Sequence, residues 1–185
     1  MNPDFIEVYD NMLSHSECEE IIDYIDSSEK VRGTFSGEYH PKIKDDWEAP
    51  IHPLDEPTPI NRSIERALRK AVAEYWLKHP QIRKINSWGP DLHYNLQMYN
   101  PKQGYYASHC ENGGQNAGIH RILVWMIYLN TVTDGGGTYF ENYDRTTDAV
   151  EGRVVLWPPY WTHFHNGVVS DTQKKYIATG WFEAQ

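Results

Sequence analysis

Near Leu92 the apolar residues of this chain stop recurring every three or four positions and begin to recur every second one. Upstream, Ile64, Leu68, Val72 and Trp76 are spaced four apart between Asn61 and Lys78, flanked by Ala67, Ala71 and Tyr75, which predicts an amphipathic helix. An earlier helix is expected over LSHSECEEIIDYIDSS, with Ser14 as N-cap, Glu17 at the capping-box position and Ile21, Ile22 and Ile25 as its apolar face. Downstream, LHYNLQMY sets Leu92, Tyr94, Leu96 and Met98 against His93, Asn95, Gln97 and Tyr99, a strand with two unlike faces. RILVWMIYLN reads as a buried strand, GTYFEN and RVVLW as shorter ones, and KKYIATGWF as the last. NPKQG, NGGQNAG, DGGG, PP and HNG supply the turns between them. Helices followed by many short strands constrain the fold to a mainly β chain with supporting helices (α+β). Its expected core is a double-stranded β-helix, or jelly roll, with the N-terminal helices packed on one sheet.

A chain of 185 residues is expected to form one domain around one sizeable core. Residues 1–90 would supply helical support and 91–183 the jelly roll. Between the helices, Glu29 to Pro59 is rich in Pro, Gly and charge, and APIHPLDEPTP reads as outside the core; so long a stretch is expected to serve as a lid or binding loop. A formal charge of −9 argues against a nucleic-acid partner, which needs a basic stripe. The start MNPDFIEVYD has no basic, then apolar, leader, and the apolar run Ile122–Leu129 is too short to span a bilayer. Two cysteines, Cys18 and Cys110, make no disulfide framework. A soluble cytoplasmic protein without a membrane partner is expected.

Two His-x-Glu pairs occur, His15-Ser16-Glu17 and His109-Cys110-Glu111. In a helix, positions i and i+2 diverge by roughly 200°, so His15 and Glu17 read as surface residues of a helix start. In a strand, i and i+2 share a side, so His109 and Glu111 can converge on one ion while Cys110 faces away. A facial two-histidine, one-carboxylate iron site needs a third ligand from elsewhere. His163 and His165, in WPPYWTHFHNG, share strand parity, and spacing does not choose between them. Trp157, Trp161 and Phe164 in the same region are expected to pack at the barrel rim.

In KKYIATGWF, Lys175, Ile177, Thr179 and Trp181 share one strand face. A lysine on that face points inward, where an unpaired charge is costly and calls for an anionic partner. No acid in the strand supplies one; a dicarboxylate ligand would. Tyr128, at the end of the most apolar strand, is placed to donate its phenol to the same carboxylate.

Taken in order, MYNPKQGYYASHCE, RILVWMIYLNTV, GGGTYF and HNGVVSDTQKKYIATGWF resemble the iron(II)- and 2-oxoglutarate-dependent oxygenases, in their prolyl 4-hydroxylase branch. The resemblance runs from about Asn95 to Phe182. It implies His109 and Glu111 as the first ligand pair, and His165 as the distal histidine because Lys175 follows it at the family's interval. Lys175 would bind the distal carboxylate of 2-oxoglutarate, with Tyr128, Thr138 and Tyr99 supporting the cosubstrate. Tyr106, Arg121 and Trp181 would hold the target proline, Arg121 on the resemblance alone. The family usually carries Asp where this chain has Glu111, a departure that keeps an oxygen ligand and argues against a halogenase.

The implied cofactors are Fe(II), 2-oxoglutarate and O2, with ascorbate as a further family reductant. The implied reaction is hydroxylation of an unactivated C–H bond with release of succinate and CO2. The expected substrate is a proline-containing peptide or protein, over which Trp47 and the 29–59 stretch would close. Hydroxylation of a free amino acid or other small molecule would need the same iron site. A nucleic-acid demethylase is disfavoured because no arginine follows Arg153. A metal-binding jelly roll without catalysis leaves Lys175 unexplained.

Overall fold

The computed structural model describes residues 3–112 and 118–185, so the turn expected over NGGQNAG lies mostly outside the described residues. Helix α1 spans His15–Ser27 and opens with the expected capping box. The Ser14 hydroxyl accepts from the Glu17 N–H, and the Glu17 carboxylate accepts from the Ser14 N–H at 2.9 Å. Helix α2 spans Pro59–Lys78, starting two residues before the expected Asn61. Thr58 caps it, accepting from the Asn61 N–H at 3.0 Å, and Pro59 occupies the first turn, where its missing N–H costs nothing. Ile64, Ala67, Leu68, Ala71, Val72 and Tyr75 are buried, but Trp76 is 37% exposed and turns onto Trp88. A four-residue step overshoots a helical turn by about 40°, so by its fourth member the stripe has rotated off the buried face.

Ten strands follow the chain: β1 Glu7–Tyr9, β2 Val31–Arg32, β3 Trp47–Ala49, β4 Trp88–Tyr99, β5 Arg121–Tyr128, β6 Thr138–Phe140, β7 Arg145–Thr147, β8 Arg153–Trp157, β9 His165–Gly167 and β10 Lys175–Ala184. They form the two antiparallel sheets of a jelly roll: a main sheet ordered β1-β8-β5-β10-β4-β3-β2, and a small sheet ordered β7-β6-β9. The first 90 residues therefore do more than supply helices. They add β1 to one edge of the main sheet and β3 with β2 to the other. Strands of two or three residues are too short for alternation to show in sequence. The APIHPLDEPTP stretch also contributes to the core, because Ala49 and Leu54 are buried.

The expected single core is split in two by the main sheet. On its outer face, Tyr94, Leu96, Met98, Trp125 and Ala178 pack with Ile21 and Ile25 of α1 and Ile64 and Leu68 of α2. Between the two sheets, Tyr99, Tyr128, Val155, Trp157 and Ile177 pack against Phe140 of the small sheet. Leu92 is exposed, so the alternation of β4 takes effect only from Tyr94. Trp157 belongs to the inner layer, whereas Trp161 is 72% exposed and packs no rim. Cys18 is buried, Cys110 is half-buried, and both are free thiols. Among the described residues no helix is long and apolar enough to cross a membrane.

Candidate metal centre

The small sheet carries one side of the site. His109 extends it, bridging to His165 through backbone bonds of 3.0 and 2.9 Å in the two directions. The ligand-type atoms of His109, Glu111 and His165 lie within 4.8 Å of one another, and among the described residues no other metal-binding group of three is found. The Glu111 Oε1 atom faces both histidines, 3.3 Å from His109 Nε2 and 3.5 Å from His165 Nε2. Each imidazole turns its other nitrogen to a backbone carbonyl: His109 Nδ1 to Ala107 O at 3.0 Å, His165 Nδ1 to His163 O at 2.9 Å. Donation to those carbonyls engages both Nδ1 atoms and turns both Nε2 atoms towards Glu111 Oε1, the arrangement of metal-ligating histidines. Burial pushes Glu111 upward, but the two histidines outweigh it and hold the carboxyl well below its usual range. Burial likewise pulls His165 downward, towards the neutral form that ligates.

The two histidines that spacing left open have different surroundings. His163 is buried with both nitrogens engaged, Nε2 with Asp4 O at 2.7 Å and Nδ1 with Thr162 Oγ1 at 2.9 Å. It fastens the N-terminal segment, and its pKa is lowered, chiefly by burial. The structure brings His165 to the cluster and leaves His163 outside it.

In front of the cluster a cavity of about 320 Å³ runs between the sheets. Lys175, Ile177, Thr179 and Trp181 of β10 line it, as do Asn95, Gln97 and Tyr99 of β4 and Thr138 of β6. Lys175 is 6% exposed, its ammonium lies 4.6 Å from the centre of the Tyr99 ring, and among the described residues it has no ion-pair partner. Burial pulls its pKa down to about 8, against the opposing influence of Asp46. Tyr128 does not line the cavity; its buried hydroxyl stands behind Thr138, 2.7 Å from Thr138 Oγ1.

Two other expected residues lie elsewhere. Tyr106 is 36% exposed, outside the cavity, and donates its hydroxyl to Lys102 O at 2.7 Å. Its neighbour Tyr105 takes the cavity position, stacked on the His109 ring at 3.8 Å and 11°. Parity was the available signal, since residues 105, 109 and 111 fall on one side of an extended chain. Arg121 is likewise outside the lining, its guanidinium lying along Glu111.

The 29–59 stretch forms one wall. A hairpin turn with positive φ at Ser36 and Gly37 places Thr34, Phe35 and Ser36 on the cavity, and Lys44 and Glu48 line it further in. Lys44 lies 2.5 Å from Glu48 and 3.4 Å from the fully buried Asp46, whose carboxyl burial pushes up to about 6. Glu48 also accepts from Gln97 at 3.1 Å, and Gln97 from the Tyr99 hydroxyl at 3.0 Å, so a polar chain joins this wall to the residues around Lys175. Sequence reasoning missed it, because no local pattern marks a lysine that pairs with an acid four positions on in a loop. Trp47 packs towards the outer layer and under Arg32, away from the cavity.

A sequence model of the 2OG-Fe(II) oxygenase superfamily matches residues 94–183. No curated relative matches the sequence. Among solved structures, a Pseudomonas putida prolyl-4-hydroxylase superposes with a TM-score of 0.71 at 14% identity, covering 98% of this chain and 94% of that one. A Trichoplax adhaerens prolyl hydroxylase, solved with a hypoxia inducible factor oxygen degradation domain peptide, gives 0.71 at 17%, covering 98% and 84%. The viral collagen prolyl hydroxylase of Paramecium Bursaria Chlorella virus-1, solved with 2OG, gives 0.61 at 18%, covering 98% and 96%. The superfamily match covers 90 of the 185 residues and includes His109, Glu111, His165 and Lys175. The fold of the chain is the one shared by these prolyl hydroxylases.

Proposed function

We propose that this chain is an Fe(II)- and 2-oxoglutarate-dependent dioxygenase that hydroxylates a prolyl residue of a peptide or protein. The observation that carries the reading is the pairing of two features across one cavity. At one end is a three-ligand cluster with one face open to the cavity, and at the other a buried lysine that has no ion-pair partner among the described residues. The donor set, two neutral imidazoles and one carboxylate, is that of a facial non-haem iron centre. His109, Glu111 and His165 would hold the ion. When bound, Fe(II) supplies the activation of O2 that couples oxidation of 2-oxoglutarate, giving succinate and CO2, to hydroxylation of a C–H bond.

The chain's own residues do the rest. Lys175 anchors the distal carboxylate of the cosubstrate, which orients its keto-acid end towards the cluster. Tyr99 lies under the ammonium, and Thr138, its hydroxyl hydrogen-bonded to Tyr128, lines the same end. Trp181 and Thr179 border the open face of the cluster, where the substrate C–H bond has to sit. The 29–59 wall, with Phe35 at its tip, closes over the substrate and excludes water.

Hydroxylation of a free amino acid is the rival reading, since it would use the same iron site and differ only at the mouth of the cavity. Succinate release with proline-containing peptides against free L-proline separates the two. The centre itself is tested by anaerobic titration of the metal-free protein with Fe(II) and 2-oxoglutarate, followed by the weak visible band of a chelated keto acid. The band is expected in the wild type and in His163→Ala, and absent in His165→Ala. No band in the wild type would end the oxygenase reading.

A further inference from the structure

Glu111 is one methylene longer than the aspartate usual at its position, and its second carboxylate oxygen is not free. While Oε1 faces the two histidines, Oε2 accepts from the Trp181 indole N–H at 2.9 Å and from Arg121 Nη1 at 3.2 Å. Arg121 Nη1 also donates to the Glu111 backbone carbonyl at 2.8 Å. The guanidinium lies over the Trp181 ring, 3.6 Å from its centre, and its Nε is 3.8 Å from Glu183 Oε1.

The register of the main sheet explains how Arg121 reaches this position. Opposite residues of an antiparallel pair share a face, and on β5 the inner face belongs to Val124, Met126 and Tyr128, opposite Trp181, Thr179 and Ile177. Continued evenly, that alternation would set residue 122 opposite Glu183 and turn Arg121 outward. A register shift between Phe182 and Glu183 pairs Glu183 with Arg121 instead, which brings the arginine onto the face of Trp181. The irregularity re-aims one side chain, and that side chain meets a metal-ligand candidate.

The structure assigns Arg121 and Trp181 as positioning residues for Glu111, a two-donor clamp that fits a glutamate at this ligand position; the assignment rests on the metal-centre reading above. The clamp holds Oε2 and so fixes the torsions that present Oε1 to the cluster. Shortening the ligand to aspartate retracts the carboxylate by about 1.5 Å, one carbon–carbon bond, so that it meets the clamp or the metal position but not both. Both donors are committed to Glu111, which leaves Trp181 its ring face, and Arg121 no free Nη1, for a substrate.

The test is a double-mutant cycle read by Co(II) binding to the metal-free protein without cosubstrate. Trp181→Phe keeps the ring and the stack but deletes the N–H. It is expected to weaken Co(II) binding about tenfold, the scale for loss of an outer-shell partner, and to shift the visible Co(II) band, with the metal-free melting temperature unchanged. Glu111→Asp alone weakens binding by a similar factor. In the Glu111→Asp background, where the carboxylate no longer spans to the clamp, Trp181→Phe adds nothing further. Arg121→Gln runs the same cycle through the other donor and stands in if the phenylalanine variant does not fold. Wild-type affinity and spectrum in both Trp181→Phe and Arg121→Gln would overturn the assignment. So would effects that simply multiply with Glu111→Asp. Absence of Co(II) binding by the wild type would overturn the metal centre itself, and the clamp with it.

Discussion

Strands β4 and β10 present two faces made by the same residues in alternation, and the two faces are built to opposite ends. Outward, Tyr94, Leu96, Met98, Tyr176 and Ala178 are buried against the helices, with the Tyr176 hydroxyl donating to the Asp26 carboxylate at 2.9 and 3.0 Å. Inward, Asn95, Gln97, Tyr99, Lys175 and Thr179 line the cavity with polar atoms, one of them a buried ammonium with no ion-pair partner among the described residues. A buried aliphatic side chain contributes about 1.5–3 kcal/mol, whereas a buried unpaired charge costs free energy. The outer face holds the sheet together, and the inner face draws on that stability to keep a polar slot with a buried ammonium. Changes on the inner face should therefore move binding without lowering stability, and changes on the outer face should lower stability without moving binding.

The sharpest break of that symmetry is expected at His165, held by the small sheet opposite the inner face. His165→Ala removes one of the three proposed ligands and should weaken divalent-metal binding about a thousandfold, with little change in the metal-free melting temperature. Isothermal titration beside a thermal melt reads both. The outward counterpart is Leu96→Ala. It should lower stability by about 2–5 kcal/mol in urea titration, while the metal affinity of the folded fraction stays at the wild-type value. A Leu96 variant that loses metal affinity in proportion to stability would show that the two faces are not separable.

Lys175 tests the same contrast from within one residue. Holding its pKa down to about 8 from 10.5 corresponds to a charging cost of about 3 kcal/mol. Lys175→Met should make the metal-free protein more stable by up to that amount, yet abolish the rise in melting temperature that 2-oxoglutarate gives the wild type. The sign follows from linkage. Between pH 8 and 10.5 the unfolded chain holds this proton and the folded chain has released it, so wild-type stability should climb with pH across that window. The methionine variant should lack that component. Cosubstrate affinity should fall as pH rises above about 8, where the folded protein loses the ammonium that binds the anion.

How much of this could be seen in the sequence follows from range. The helices, the long strands and the parity of β10 are local patterns, and they were legible because burial imposes a period on neighbouring residues. His109 and Glu111 were legible for the same reason, being two apart on an extended segment. Lys175 was legible because a lysine among inward-facing residues has no solvent to reach. What stayed hidden depends on register and long-range packing. Strands β1, β2 and β3 are too short to show a period, and the Lys44–Glu48–Gln97–Tyr99 chain joins residues about 50 positions apart. The inward turn of Arg121 comes from an extra residue, Ile122, in β5 opposite the Phe182–Glu183 step of β10, and only the pairing of the two strands reveals it. Spacing left His163 and His165 open and only the resemblance chose His165; the physical reason, the Asp4 carbonyl that occupies His163, lies 159 residues away.

The smallest effect is expected at the outermost layer, where α1 is capped. Ser14 accepts from the Glu17 N–H and Glu17 accepts in return, so Ser14→Ala should cost about 1 kcal/mol and leave metal and cosubstrate binding untouched. The same change carries a pH signature. Burial alone would raise the Glu17 carboxyl, but the bonds from Ser14, the Ser63 hydroxyl and the nearby Arg66 together lower it to about 2. A carboxyl depressed from 4.5 to about 2 contributes stability that is fully present above pH 4.5 and is lost as pH falls towards 2. Removing the Ser14 hydroxyl lets that pKa rise, so the gap between wild type and variant should be constant at neutral pH and narrow through the acid limb. Chemical denaturation at pH 7, 4 and 3 reads the trend. A gap that stays the same at pH 3 would mean that the serine hydroxyl acts on the helix alone, and that the carboxylate owes its depressed pKa to the Ser14 backbone N–H, Ser63 and Arg66.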